Sequence, residues 1–275
     1  MTTALQHLLI NGLHFQADGF RIVYGLIAVW MWGLTSLFSL EYFRHEPHHL
    51  KRYGVFTLLT FLATEGVMFS ADLMTTFFFF EILSLTSFVW VIHEETPEAI
   101  RAAKTYFFIA VIGGLILFMG LALLSQTAGT LTYNELHAAI TASADRRPIL
   151  AAGICILLGF GAKAGMFPLH IWLPKSHPVA PSPASALLSG ILTKVGIFGI
   201  LMTAVPGFFR VFPFWSADSD HRHDHYGAGR CPGFVQYQPE TYSGLLLHVA
   251  DRLYPGRHRN SGAAVCSGRT GRRTS

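Results

Sequence analysis

Charge is what this sequence has least of. Asp, Glu, Lys and Arg make up 13% of its 275 residues, about half the share found in soluble globular domains. With 51% hydrophobic residues, that scarcity excludes a soluble cytoplasmic enzyme and an intrinsically disordered chain. Cysteine is nearly absent: three scattered residues exclude a disulfide scaffold and a cysteine-built zinc cluster. No GxGxxG, P-loop, CxxC pair or HExxH occurs. The chain by itself is therefore expected to bind no nucleotide, iron–sulfur cluster, metal or other cofactor. Any associated redox chemistry belongs to another subunit.

Long apolar runs are abundant. Residues 22–40 and 105–127 carry no charge, 54–71 only Glu65, 73–92 only Glu81, 148–171 only Lys163, and 185–209 only Lys194. Each run is near the ~20 residues that cross ~30 Å of hydrocarbon as a helix. The expected fold is an all-α, polytopic transmembrane bundle of about six spans, set in the inner (plasma) membrane as a multi-pass protein. The first ten residues have no basic region and no cleavage site, which argues against a signal peptide. Arg44, Lys51, Arg52, Arg101, Lys104 and Lys175 fall on one side of such a bundle, and Arg21, Arg146, Arg147 and Arg210 on the other. That balance favours the first side as cytoplasmic and the N-terminus as outside. Pro168, Pro174, Pro178, Pro181 and Pro183 crowd the passage between the last two runs. Proline removes a backbone donor and clashes with the preceding turn, so a broken helix is expected there. Within a membrane such a break is tolerated where protein or a water-filled cavity covers it.

The last 60 residues are of another kind. Residues 216–275 hold eight Arg, no Lys, no Ile and no Met, with two of the three Cys and five of the 14 His. The chain divides accordingly into a transmembrane domain, 1–215, and a tail, 216–275. The tail reads as out-of-frame translation and disordered; an ordinary basic tail and a metal site at His221, His223, His225 and Cys231 are the alternatives. Reading residues 237–255 one base out of register permits INLKRTLAYSSMSQIGFIL, a membrane-like run. The tail also supplies most of the net charge: the chain carries +4, of which residues 216–275 contribute +3 from eight Arg and five acidic residues. The basic balance therefore says nothing about nucleic acid.

Glu65, Glu81, Lys163 and Lys194 are the charges inside apolar runs. Each costs about 2.5–3.5 kcal/mol at the bilayer centre, so each calls for a partner or a function. One reading is an inter-helix ion pair that aligns the bundle. The other is a proton or cation relay, in which a carboxylate that approaches or withdraws loads and unloads a lysine. Glu65 lies close to the Ser70 break and reads as structural. His170 and His177 flank the proline-rich passage, and each is equally a packing residue or a possible relay group.

The segment GFGAKAGMFPLHIWLPKSHPVAPSPASALLSGILTKVGIFGI, residues 159–200, resembles the signature of the proton-translocating antiporter-like membrane subunits. These occur in respiratory complex I, in formate hydrogenlyase and related hydrogenases such as hydrogenase-4, and in Mrp-type Na+/H+ antiporters. SADLMTTFFFFEILSLTSFVWVIHEET, residues 70–96, resembles an earlier segment of the same family, and the likeness covers roughly residues 18–209. It implies part of an inverted-repeat antiporter fold, with the six runs standing for helices three to eight. It further implies that Glu81 is the glutamate that modulates the lysine, that Lys163 is the lysine at the broken helix, and that Lys194 passes protons onward. The implied function is a non-catalytic, proton-translocating subunit of a redox-driven complex such as a hydrogenase, a formate hydrogenlyase or an NADH-quinone oxidoreductase. Its implied partners are other membrane and peripheral subunits, lipid and H+. A Na+/H+ antiporter subunit of Mrp type, moving Na+ as well, and a non-functional fragment stand as alternatives. The family's first two helices and everything after helix eight have no counterpart here, and the out-of-frame peptide resembles the family's segment entering helix ten.

Overall fold

The computed structural model describes residues 12–45, 48–143 and 146–204, all of them within one compact unit. Among the described residues there are nine α-helices and no strand. In chain order they are α1 (Gly19–His45), α2 (Leu50–Phe69), α3 (Leu73–Val91), α4 (Pro97–Ala128), α5 (Tyr133–Ala142), α6 (Arg146–Ala164), α7 (Trp172–Ser176), α8 (Ser182–Leu187) and α9 (Thr193–Ala204). A 3-10 turn, Leu169–Ile171, precedes α7, and a π-helical turn, Leu188–Leu192, joins α8 to α9.

The expected multi-pass helical bundle is what forms, with a helix over each expected run among the described residues. Among the described residues, five stretches are long and apolar enough to cross a bilayer: Gly19–His45, Leu73–Val91, Pro97–Ala128, Arg146–Ser176 and Ser182–Thr203. The run expected at 54–71 is helical, as α2, but falls short of that apolarity. Arg52, Thr57, Thr60, Thr64 and Glu65 are the reason. Its hydroxyls bind α3 instead of lipid: Trp90 Nε1 donates to Thr57 Oγ1 at 3.0 Å, and Thr60 Oγ1 to Thr86 Oγ1 at 2.9 Å. Such interhelical bonds contribute roughly 0.6 kcal/mol each in a bilayer.

Local chemistry sets the helix ends. Asp72 caps α3 by accepting from Thr75 N at 2.7 Å, and Thr96 caps α4 by accepting from Ala99 N at 3.1 Å, with Pro97 in the first turn. The chain expected as a loop through Arg101 and Lys104 is therefore already helix. α4 ends on Gly129, at φ 72°, a left-handed position that glycine adopts without strain. The following connection holds a short amphipathic helix, α5, which buries Tyr133, Leu136 and Ile140.

Among the described residues, α4 and α6 share the most extensive helix–helix contact. Gly159 makes this possible, since a Cβ there would stand 2.9 Å from both Gly113 O and Leu117 Cα. Small residues at such crossings let backbones approach where lipid supplies no hydrophobic drive. α1 lies at the periphery and exposes Leu26, Trp30, Leu37 and Leu40, the surface a bilayer covers.

The prolines break the chain where expected. α6 stops at Ala164, Gly165 takes φ 77°, and the Phe167–Pro168 bond is cis. The carbonyls freed by the break find donors: Gly161 O accepts from Met166 N at 2.8 Å and Ala162 O from Trp172 Nε1 at 2.8 Å. A second interruption, at 177–181, separates α7 from α8.

Arg21, expected in a loop, is instead buried at 1% exposure. Its Nε lies 3.0 Å from Asp18 Oδ2, its Nη1 donates to Ser70 O, and its guanidinium sits 5.3 Å over the Tyr133 ring. It ties the start of α1 to the α2–α3 break and to α5. The readings made for residues 216–275, and for the end of the last apolar run beyond residue 204, lie outside the described residues.

Candidate functional site

α3, α4, α6 and α7 converge on one polar site inside the bundle. α3 carries Glu81, Ser84 and Ser87, spaced three apart, so they line one face of that helix. α4 brings Tyr106, the last turn of α6 brings Lys163, and α7 brings Trp172.

Lys163 is 4% exposed, yet no carboxylate holds it. Its Nζ donates to Tyr106 Oη at 2.5 Å, to Ser84 Oγ at 3.2 Å and to Ser87 Oγ at 3.5 Å. It also stands 4.8 Å from the Tyr106 ring centroid, within reach of a cation–π attraction. The C-terminal turn of a helix further favours a cation through its partial negative charge. A buried ammonium has three protons to place, and three hydroxyl oxygens meet them.

The hydroxyls are themselves anchored. Ser84 Oγ donates to Phe80 O at 2.9 Å and Ser87 Oγ to Leu83 O at 2.5 Å, while Tyr106 Oη and Ser87 Oγ lie 2.6 Å apart. The Tyr106 ring meets Trp172 edge to face, with centroids 5.0 Å apart. A crevice of about 10 Å³ lined by Phe80, Ser84, Tyr106 and Lys163 opens beside the amine, at the lower limit for one water molecule.

Glu81 belongs to the same site without touching the lysine. Within 4.0 Å the two form no ion pair, and Glu81 Oε1 is buried with no hydrogen-bond partner among the protein atoms. Gly114 on α4 makes room for the carboxylate, because a Cβ there would fall on it. An aligning ion pair between Glu81 and Lys163 is thus absent from the described residues.

The other expected residues are placed elsewhere. Lys194, on α9, is exposed, and its Nζ donates to Ser189 O at 2.7 Å and approaches Thr193 Oγ1 at 3.3 Å. Ser189 lies in the π-helical turn. His170, in the 3-10 turn, stacks on Phe167 with centroids 5.6 Å apart, and its Nδ1 is buried without a partner. His177 Nδ1 lies 2.7 Å from Ser185 Oγ, bridging the second interruption. Glu65, on α2, faces Gly25 of α1. None of these joins Lys163.

Sequence reasoning missed Tyr106, Ser84, Ser87, Gly114 and Trp172. The serines carried a signal in their spacing from Glu81; Tyr106 did not, because a tyrosine in an apolar helix reads as bulk. His93, just past α3, was also missed. It is buried, bonds through Nε2 to His48 O at 3.0 Å, and burial pushes its pKa down to about 4. Being neutral suits a ring with no charged partner of opposite sign in contact.

Comparison with known proteins agrees with this architecture. The family model for the transmembrane region of NADH:quinone oxidoreductases and Mrp antiporters matches residues 70–217. Hydrogenase-4 component B of Escherichia coli (strain K12) is 38% identical over 175 residues, which are 62% of this chain and 25% of that protein. A Staphylococcus haemolyticus (strain JCSC1435) protein named as antiporter subunit mnhD2 is 30% identical over 192 residues, 69% of this chain and 38% of that protein. Among solved structures, a chain of the membrane-bound sulfane sulfur reductase, an archaeal respiratory membrane complex, has the same fold at TM-score 0.68 and 23% identity, over 75% of this chain and 41% of that one. A chain of the Mrp complex from Dietzia sp. DQ12-45-1b does so at TM-score 0.58 and 22% identity, over 70% of this chain and 35% of that one. The matched part of this chain thus spans about a quarter to two-fifths of each relative's length. With an all-helical, multi-pass membrane fold and a match over more than half its length, the chain belongs to the NADH:quinone oxidoreductase/Mrp antiporter transmembrane family.

Proposed function

We propose that this chain supplies a proton half-channel to a multisubunit membrane complex, with Lys163 as the proton carrier and Glu81 as the carboxylate that loads and unloads it. Lys194 receives the proton next, and His170 and His177 serve the broken helix through which water is reached. One observation carries the reading. A lysine buried inside a bilayer-crossing bundle is met by uncharged hydroxyls, while the nearby carboxylate stands apart with an unpartnered oxygen. A carboxylate that stands clear of the amine can load the lysine by approaching and unload it by withdrawing, whereas a scaffold ion pair would already be closed.

On this reading the driving reaction lies in a partner subunit. The likeness to hydrogenase-4 component B supports a redox-driven complex of hydrogenase type. The likeness to mnhD2 and to a chain of the Mrp complex favours a second reading, a Na+/H+ antiporter subunit with no redox partner. Inverted membrane vesicles containing the assembled complex separate the two. The first reading predicts that formate, oxidised as protons are reduced to hydrogen, or hydrogen, oxidised with a quinone as acceptor, generates a proton gradient in Na+-free buffer. A gradient that changes only on addition of Na+, with no response to either electron donor, overturns it in favour of the second.

A further inference from the structure

We propose that the Tyr106 hydroxyl is the positioning group that lets Lys163 change charge in place, by reversing the direction of a single hydrogen bond. The inference rests on the relay reading above and concerns how its buried lysine avoids stranding a polar group in either state.

A carrier lysine must pass between ammonium and amine. The ammonium offers three protons and accepts nothing; the amine offers two and presents one lone pair. Inside an apolar bundle, an unmatched donor or acceptor costs about 1–3 kcal/mol, so the surroundings must serve both forms. Ser84 and Ser87 serve one way only. Each commits its own proton to a carbonyl of α3, Ser84 to Phe80 O and Ser87 to Leu83 O, which leaves both as acceptors toward Nζ. Neither can donate to a lone pair without breaking that bond.

Tyr106 is not so committed. Its Oη lies within hydrogen-bond distance of both Lys163 Nζ and Ser87 Oγ. Beside the ammonium, Oη accepts from Nζ and donates its proton to Ser87 Oγ. When Nζ passes its proton onward to Lys194, the O–H turns about the C–O bond and donates to the amine lone pair, while Nζ still donates to the two serines. Nothing covalent changes on the tyrosine, and the proton count closes: one leaves Lys163 and one arrives on Lys194. The ring is held for this. It is 1% exposed and packs on Trp172, whose indole N–H is bonded to Ala162 O beside the lysine. Rotation of the hydroxyl is the motion left to it.

Among the described residues, Tyr106 of α4 is the other titratable group lining the crevice, and the charge of Glu81 on α3 acts on the amine from beyond contact; Trp172 of α7 does not titrate, and Lys194 of α9 is exposed and turned to Ser189 O. Tyr106→Phe keeps the ring and its contact with Trp172 and deletes the reversible bond. In inverted vesicles carrying the assembled complex, proton transport should fall by at least about tenfold, the effect of one such bond, at every value from about pH 6 to about pH 9. Assembly should be unchanged. A hydroxyl that only tunes the charge of the lysine would give a variant whose transport returns at one end of that range, and this result overturns the proposal. So does transport within about twofold of the unaltered complex, which is less than half of one such hydrogen bond, and so does loss of assembly in step with transport, which makes the hydroxyl a structural bond. Lys163→Ala in the same vesicles keeps the two ideas apart. Undiminished transport there removes the relay reading together with this one, whereas a dead Lys163→Ala beside a normal Tyr106→Phe removes only the tyrosine.

Discussion

Lys163→Ala abolishes proton transport while the complex still assembles. The second half of that expectation comes from the geometry. Where a buried lysine is paired with a carboxylate, deleting the amine strands a charge and costs about 3–5 kcal/mol. Here its partners are three neutral hydroxyls, and both serines keep a bond to a carbonyl of α3. Alanine leaves a small cavity and one tyrosine oxygen short of a donor, which a bundle held by five apolar stretches tolerates. The first half follows from the chemistry. No other titratable group lies among the residues lining the crevice except Tyr106, so no substitute carrier is at hand. Loss of a positioned proton-transfer group lowers rates by roughly 100-fold or more, and dye-quenching assays on vesicles normalised to assembled complex read this directly.

Glu81→Gln is the second substitution with a large effect. Glutamine keeps the shape of the side chain and fits beside Gly114, where there is no Cβ to collide with. It takes away the negative charge that loads the lysine. If Glu81 loads and unloads the lysine, transport drops by roughly 100-fold with assembly retained, and native gel electrophoresis alongside the flux assay checks both. A carboxylate that merely packed against α4 would be replaced by its amide with little change in flux. The unpartnered Oε1 sharpens the contrast, because glutamine breaks no existing hydrogen bond at that oxygen.

Much of this was legible in the sequence, for identifiable reasons. Apolar runs near twenty residues announce spans, and prolines announce a break, because lipid leaves the backbone few ways to satisfy itself. Charges inside such runs stand out for the same reason, which singles out Glu81 and Lys163 as candidates. What escaped were features whose meaning depends on a neighbour. The threonines of α2 read as mere interruptions of an apolar run until α3 is seen bonded to them. Arg101 and Lys104 read as loop, although Thr96 and Pro97 were there to mark the start of α4. Arg21 reads as a surface charge until Asp18, Ser70 and Tyr133 are seen around it. Tyr106 is invisible as anything but bulk until α6 brings a lysine to its hydroxyl. Lys194 and Lys163 look alike in sequence, yet one is exposed on α9 and the other enclosed, a difference that only packing creates.

Lys163→Arg tests the central claim most directly. Arginine keeps the positive charge and the donors that a scaffold would need, but it holds its proton at any physiological pH and cannot act as a carrier. Proton flux and assembly measured together on this variant separate charge from titration. A relay predicts an assembled complex with no proton transport. An assembled Lys163→Arg complex that transports protons at the unaltered rate would contradict it, since a fixed charge would then suffice at that position.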